Sequence, residues 1–231
     1  GPSANLLEEE LKKKGINKPY ILTEFGVTGE WDIKQKINDV IVEPNDTEKY
    51  DTILNGYNNW IKNKSKNLGV FVFHYASGNE FMAPWLFTHY ENMTRPQYWA
   101  IREAFTGNKP LNTVPKVINF TLPNSKFQSE TWIPVVLETK DLENDSLEVN
   151  FGYNQRTGSR KRRDQINPLH YRGDLVNGFE IQLPKEHGAI KVYVYVKDSY
   201  KNIGIGSTSI VVLDENAKNQ KYLVPKVSLP F

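Results

Sequence analysis

The sequence predicts an α/β segment followed by an all-β segment. In the first half, apolar residues recur at three- and four-residue intervals in three stretches, which alternate with short apolar runs rich in β-branched and aromatic residues. From Lys116 onward apolar and polar residues alternate with a period of two. They do so in short runs separated by turn residues, with no helical pattern between them. A βαβ unit followed by a β-sandwich accounts for both patterns.

Three helices and two strands are predicted for the first half. The helix over 3–14 has glutamates early and lysines in its last turn, which suits the helix dipole. The helix over 47–64 has one continuous apolar stripe, and a third helix opens at Thr94 with a capping box. Strands are predicted over 20–22 and 68–75. The second run is apolar throughout, as in a parallel strand buried on both faces.

The chain is predicted to divide into an α/β part over 1–107, a proline-containing linker over 108–115, a β-sandwich over 116–213 and an extended tail over 214–231. Several short strands without intervening helices favour a sandwich of two packed sheets. The strands of the sandwich are expected at 117–120, 132–137, 147–151, 179–183, 190–196 and 207–213.

Composition excludes several classes of function. The 29 basic and 27 acidic residues give a net charge of +2, which is too balanced to favour nucleic acid or an anionic membrane as the general partner. The absence of cysteine excludes disulfides, thiolate metal sites and cysteine nucleophiles. The four histidines show no metal-ligand spacing, so neither a metal nor a cofactor is expected. No apolar run approaches the roughly 20 residues that a membrane-spanning helix needs.

A carboxylate occupies the end of the first predicted strand, in the motif Thr23-Glu24-Phe25-Gly26. An acidic residue at the carboxyl end of a buried strand goes against the hydrophobic trend. The stretch over 19–26 resembles the seventh strand of the large clan of retaining (β/α)8-barrel glycosidases, in which a glutamate at the strand end attacks the anomeric carbon. The resemblance implies that Glu24 is the catalytic nucleophile.

The resemblance extends to the second strand of the first half. In the bacterial members of that clan the last barrel strand ends in an aromatic residue, usually tryptophan, and a glutamate and a segment with proline and tryptophan follow. Here Tyr75, Glu80 and Pro84-Trp85 take these places. The resemblance implies that Tyr75, Glu80 and Trp85 bind substrate, although a tyrosine offers less stacking area than a tryptophan.

Two further residues are candidates for substrate contact. Trp31 lies in the long loop over 27–46, where it either stacks on a sugar ring or anchors the loop to the rim of the fold. His74 precedes Tyr75 and points to the other side of the strand, so it either contacts substrate or is a structural residue.

The same resemblance implies that 1–107 forms a partial (β/α)8 barrel, with its last two strands and their helices. Two strands cannot close a barrel, so the expected partner is the missing N-terminal barrel half upstream of Gly1 or another chain that completes it. In this clan the acid/base residue comes from the fourth strand. The chain alone is therefore expected to be inactive, and its expected ligand is a polysaccharide or oligosaccharide.

The second half carries a resemblance of its own and a basic loop. Residues 190–212 resemble the final hairpin of the immunoglobulin-like modules that follow bacterial glycosidase barrels, most of which are structural. The basic loop over 156–163 either binds an anionic glycan, a phosphate-rich surface or an acidic partner, or is a solvated edge of the sandwich. Its cationic residues are Arg156, Arg160, Lys161, Arg162 and Arg163.

Three functions remain open at this point. The first is the carboxyl-terminal portion of a retaining glycoside hydrolase or transglycosidase. The second is a non-catalytic structural or glycan-binding subunit of an extracellular assembly. The third is a module whose sandwich and basic loop dock it to a surface or a partner. The habit of the family implies an extracytoplasmic location.

Overall fold

The computed structural model describes residues 6–27, 33–34, 36–38, 40–73, 75, 77–78, 86–88, 92–155 and 165–214. In these residues the helices are α1 (Leu7–Lys13), α2 (Asp46–Trp60) and α3 (Pro96–Thr106), and none of them is long and apolar enough to cross a membrane. The strands of the first half are β1 (Tyr20–Phe25), β2 (Lys36–Ile37), β3 (Val40–Ile41), β4 (Asn67–Val72), β5 (Ser77–Gly78) and β6 (Phe87–Thr88). Those of the second half are β7 (Lys116–Thr121), β8 (Lys126–Gln128), β9 (Trp132–Lys140), β10 (Glu148–Gln155), β11 (Asn167–Pro168), β12 (His170–Asp174), β13 (Gly178–Gln182), β14 (Gly188–Lys197) and β15 (Ile203–Leu213).

The second half is a sandwich of two sheets. One sheet has the order β11-β10-β14-β15-β8 and the other the order β12-β13-β9-β7. Alternate side chains of each strand face the space between the sheets, which is why the period-two runs of the sequence fall on strands. The core between the sheets includes Ile133, Val149, Phe151, Phe179, Ile181, Val192, Val194 and Ile210. The main hairpin is β14 with β15, paired over their whole common length from Gly188 opposite Val212 to Lys197 opposite Ile203.

The first half contains a βαβ unit. β1 and β4 pair in parallel, with Phe25 opposite Val72, and α2 connects them and packs on one face of the pair. Ile53 of α2 is 1% exposed in this contact. Gly56 allows the close approach, because a Cβ atom there would lie 3.0 Å from the ring of Phe25. The unit is therefore held by one compact apolar cluster, to which α3 also contributes Ala100 and Ile101.

The fold-class prediction was wrong in its α/β part, because a partial (β/α)8 barrel is not shown. The chain is mostly β-structure, and in the described residues the parallel sheet around α2 consists of β1 and β4 alone. The prediction rested on reading 68–75 as buried on both faces. Leu68, Phe71 and Phe73 are instead 70%, 64% and 42% exposed, so only one face of β4 is covered by the described protein. The proposed domain boundaries stay a prediction.

Two local predictions also need correction. The second helix ends at Trp60 rather than at residue 64, and Asn45 caps it in a reciprocal box with Glu48. The capping box expected at Thr94 is absent, since Arg95 occupies the N-cap position of α3 and its side chain makes no hydrogen bond that caps the helix. Thr94 is engaged elsewhere: its N–H donates to the Lys201 carbonyl and its carbonyl accepts from Ile203 N–H. Pairing with the sandwich has replaced capping of the helix.

A buried set of charges joins the βαβ unit to the outer face of the sandwich. We call it the junction network, and it comprises Glu43, Asp46, Lys49, Arg95, Lys191 and Tyr193. The Glu43 carboxylate lies 2.9 Å from Lys191 Nζ and accepts a 3.0 Å hydrogen bond from the Tyr193 hydroxyl. The side chains of Glu43 and Lys191 are 4% and 2% exposed. Charges this deeply buried are tolerated only because they are paired and hydrogen-bonded.

The junction network is extended by backbone contacts. Asp46, which lies 3.7 Å from the Arg95 guanidinium, also accepts a 2.7 Å hydrogen bond from Ile205 N–H in β15. Asn38 Nδ2 donates to the Ser209 carbonyl, and Ser209 Oγ donates to the Ile37 carbonyl. The segment from β2 to the start of α2 is thus tied to β14 and β15 at several independent points.

Replacing Glu43 should destabilise the whole protein. Glu43→Ala removes the carboxylate that lies 2.9 Å from Lys191 Nζ and leaves Lys49 with Asp46 as its acidic partner in the junction network. We therefore expect the free energy of unfolding to fall by about 3–5 kcal/mol. The matched control is Glu180→Ala, because Glu180 pairs with Arg172 at the surface and such pairs contribute about 1 kcal/mol or less. Urea denaturation of both variants measures the difference. Equal losses would show that the junction network does not stabilise the fold.

Candidate functional site

The structure describes two of the six predicted site residues. Glu24 and Tyr75 are described, whereas Trp31, His74, Glu80 and Trp85 lie outside the described residues. The basic loop over 156–163 and nearly all of the tail over 214–231 also lie outside them. The site is therefore built from Glu24 and Tyr75 and from the side chains that hold them.

Glu24 is presented from a fixed backbone. It is the penultimate residue of β1, and the next residue, Phe25, is buried against α2 in the apolar cluster of the βαβ unit. The Glu24 side chain is exposed, and no hydrogen bond or ion pair among the described residues engages its carboxylate. A carboxylate on a rigid strand with both oxygens available can accept hydrogen bonds from a ligand.

Gly26 allows the ends of β1 and β4 to approach each other closely. Phe73 N–H donates a 2.7 Å hydrogen bond to the Phe25 carbonyl. A Cβ atom on Gly26 would lie only 2.6 Å from the Phe73 carbonyl oxygen, so only glycine fits against this backbone. The motif that suggested a catalytic strand end therefore also has a packing role. The chain then continues two residues from Phe73 to Tyr75.

Glu24 and Tyr75 thus lie at the same end of the parallel pair. Parallel strands bring their carboxyl ends to one edge, and the pairing of Phe25 with Val72 sets Tyr75 three residues beyond the partner of Phe25. We call these two residues and their surroundings the strand-end site. The sequence places Glu24 and Tyr75 at the ends of two different strands, and their roles as site residues stay a prediction.

The Tyr75 ring is exposed but supported. It is 77% exposed, and its ring meets the edge of Phe87 at a centroid distance of 5.5 Å. Phe87 in turn contacts Tyr98 at 5.5 Å, and Tyr98 contacts Trp99 at 5.2 Å. These contacts form an aromatic column, which ends where Trp99 Nε1 donates to Asn202 of the sandwich.

The sequence did not single out this column. Tyr98 and Trp99 matched the buried side of a helix, which gives no hint that they support an exposed tyrosine. Phe87 lies in a short stretch without periodicity. The signal that could have pointed to the column is the density of aromatic residues between Tyr75 and Trp99, which also includes Phe81, Trp85 and Tyr90.

The parallel pair also presents an open apolar face. Ile21 of β1 is 49% exposed, and Phe71, Phe73 and Tyr75 follow at every second position of the neighbouring strand segment, all of them exposed. Residues two apart on a strand share a face. The strand-end site thus lies at one end of an exposed, largely aromatic surface.

A separate cleft runs along α2. Its volume is about 620 Å³, and its lining includes Glu48, Asp51, Asn55, Gly56 and Trp60. Glu48 is already committed to capping the helix, where its carboxylate accepts from Asn45 N–H. Of the predicted site residues that the structure describes, neither Glu24 nor Tyr75 lines this cleft.

Neither a protein-family model nor a curated protein matches this sequence. Among solved structures, the fibronectin(III)-like modules of Clostridium thermocellum CbhA match at 13% identity and a TM-score of 0.33, over 49% of this chain and 54% of theirs. A carbohydrate-binding module from the β-sandwich superfamily matches at 18% identity and 0.34, over 49% and 40%. A nucleoside hydrolase-related protein from Saccharophagus degradans matches at 12% identity and 0.32, over 54% and 34%.

This chain spans about half or less of the length of these three structures. The identities and TM-scores are too low for any of the likenesses to assign a function. A function can therefore be inferred only from the geometry of the strand-end site.

A side chain at position 26 should destabilise the contact between the ends of β1 and β4. Gly26→Ala forces the Phe73 carbonyl to move, and we expect a loss of about 1–3 kcal/mol in the free energy of unfolding. For a chain of this size that corresponds to a fall in Tm of about 2–4 °C per kcal/mol in thermal unfolding. Thr23→Ala is the control, because Thr23 is exposed on the same strand and should change stability by about 0.5 kcal/mol or less. A Gly26→Ala protein as stable as the control would contradict the contact.

Proposed function

We propose that this chain is a non-catalytic glycan-binding subunit of an extracytoplasmic assembly, and that it holds a polysaccharide or oligosaccharide at the strand-end site. The observation that carries the proposal is the exposed Tyr75 ring, supported from behind by the aromatic column, at the same strand end as the exposed Glu24 carboxylate, which no described residue engages. Pyranose rings offer both an apolar face and hydroxyl donors, and this pair of groups suits both.

The contact between Tyr75 and Phe87 supports stacking of the Tyr75 ring on a sugar. A ring that is free to rotate loses conformational entropy when a ligand fixes it, and edge contact with Phe87 removes part of that loss in advance. The open face formed by Phe71 and Phe73 continues from the same site. An extended chain of sugars could therefore contact more than one ring.

The support for binding rather than catalysis comes from the carboxylates. Hydrolysis with retention needs two carboxyl groups about 5 Å apart, one as nucleophile and one as acid. Among the described residues at the carboxyl ends of β1 and β4, Glu24 is the one acid. A hydrolytic site would need its second carboxylate from elsewhere.

Tyr75→Ala should abolish most of the glycan binding. Loss of one stacking contact corresponds to about a tenfold rise in Kd, whereas Tyr75→Phe keeps the ring and should bind nearly as wild type. Tyr200→Ala is the control, because Tyr200 is 63% exposed in the turn between β14 and β15. Affinity electrophoresis against a panel of soluble neutral and acidic polysaccharides finds the ligand, and calorimetry measures the variants. Wild-type retention by none of them, or equal binding by Tyr75→Ala and Tyr200→Ala, would overturn the proposal.

A second candidate function is a retaining glycosidase in which Glu24 is the nucleophile and another polypeptide segment supplies the acid. The observation that favours it is the exposed Glu24 carboxylate on a rigid strand end. The purified chain should then hydrolyse no aryl glycoside or polysaccharide. In the assembled protein, Glu24→Gln should lower kcat by several orders of magnitude and leave binding largely intact. Turnover by the chain alone, or an active Glu24→Gln assembly, would rule this role out.

A further inference from the structure

Three acidic residues converge in the loop between β9 and β10 of the sandwich. Asp141, Glu143 and Asp145 alternate along the chain, and each offers a carboxylate oxygen within 4.8 Å of the other two. Like charges at this separation repel each other unless something positive lies between them. Among the ion pairs of the described residues, no lysine or arginine neutralises this cluster.

An independent feature points to a ligand at the same place. The carboxylate of Asp141 is the buried member of the three, and its Oδ2 atom is shut off from solvent without a hydrogen-bond partner in the described protein. Its other oxygen, Oδ1, accepts a 2.9 Å hydrogen bond from Asp145 N–H, which fixes the orientation of the group. A buried carboxylate oxygen without a partner is costly, and this one belongs to a group of three carboxylates that lie together, which calls for a cation.

We propose that Asp141, Glu143 and Asp145 bind a calcium ion. The donors are all hard oxygens, which excludes the nitrogen- and sulfur-seeking metals as the preferred occupants. Oxygen ligands lie about 2.3–2.6 Å from Ca²⁺, so two of them can be up to about 5 Å apart across one ion, in agreement with the observed spacing. Mg²⁺ demands a tighter, near-octahedral set and is the weaker candidate for a cluster on a loop.

The ion would fasten the segment 108–115 to the sandwich. Asn112 Nδ2 donates to the Asp145 carboxylate, and Thr113 Oγ1 donates to Glu143 Oε2 at 2.7 Å. These contacts orient the second and third carboxylates from outside the loop. Asn112 also accepts a 2.9 Å hydrogen bond from Asn202 Nδ2, so the calcium site is connected to the residue that anchors the aromatic column.

Calorimetry of the whole chain with CaCl2, after removal of metals with EDTA, tests the proposal. We expect one site with a Kd of about 10⁻⁴ to 10⁻³ M, weaker binding of MgCl2, and a rise in Tm when millimolar CaCl2 is added. Asp141→Asn should raise the Kd for calcium at least tenfold. Glu138→Gln is the matched control, because it removes one negative charge from the exposed face of β9 near the loop and should bind as wild type.

If Asp141→Asn does not fold, the exposed Glu143→Gln serves in its place with the same expected loss. The absence of both binding heat and a calcium-dependent Tm shift in the wild-type chain would overturn the proposal. Equal calcium affinity in Asp141→Asn and Glu138→Gln would overturn it as well, because binding would then be diffuse attraction to acidic surface. Glycan binding by Tyr75 is measured separately, so the two proposals can fail independently.

Discussion

The constraint on which the structure depends is the neutralisation of charges that are shut away from water between the βαβ unit and the sandwich. Glu43 faces Lys191 across this boundary, and Lys49 lies within 4 Å of the same carboxylate. The sandwich contributes Lys191 to this boundary, whereas Glu43, Asp46, Lys49 and Arg95 come from the first half of the chain. Docking removes these charges from solvent and pairs them at the same time, so the two parts stabilise each other.

The strand pattern of the sandwich could be predicted from the sequence, but its depth of burial could not. Residues 190–196 alternate as a strand should, and they form the centre of β14. A lysine at 191 ordinarily indicates a face open to water, yet Lys191 is 2% exposed. The carboxylate that explains it is 148 positions away in the sequence, and no local pattern contains that information. Tyr193 and Tyr195, on the same face, are buried in an apolar cluster with Met93, Ile203 and Ile205.

For residues 68–75 the sequence predicts more burial than the structure shows. Their unbroken apolar composition indicated burial on both faces, but composition cannot say what covers a face, and Phe71 and Phe73 are exposed. Glu24 and Tyr75 lie at one end of the parallel pair because both strands run in the predicted direction, whereas their roles as site residues stay a prediction. The aromatic column behind Tyr75 was not predictable, because Phe87 lies in a stretch without periodicity and Tyr98 and Trp99 matched the core face of a helix.

Asn202 gives the molecule a mechanical property. Its amide receives the indole N–H of Trp99 and donates to both Asn112 and Asp198, and the residue is 1% exposed. A pull that tries to draw the helical part away from the sheets therefore loads these hydrogen bonds together with the ion pairs around Glu43, in parallel rather than one after another. Bonds that share a load in this way have to break together, so the contact between the helical part and the sheets is lost in one step rather than bond by bond.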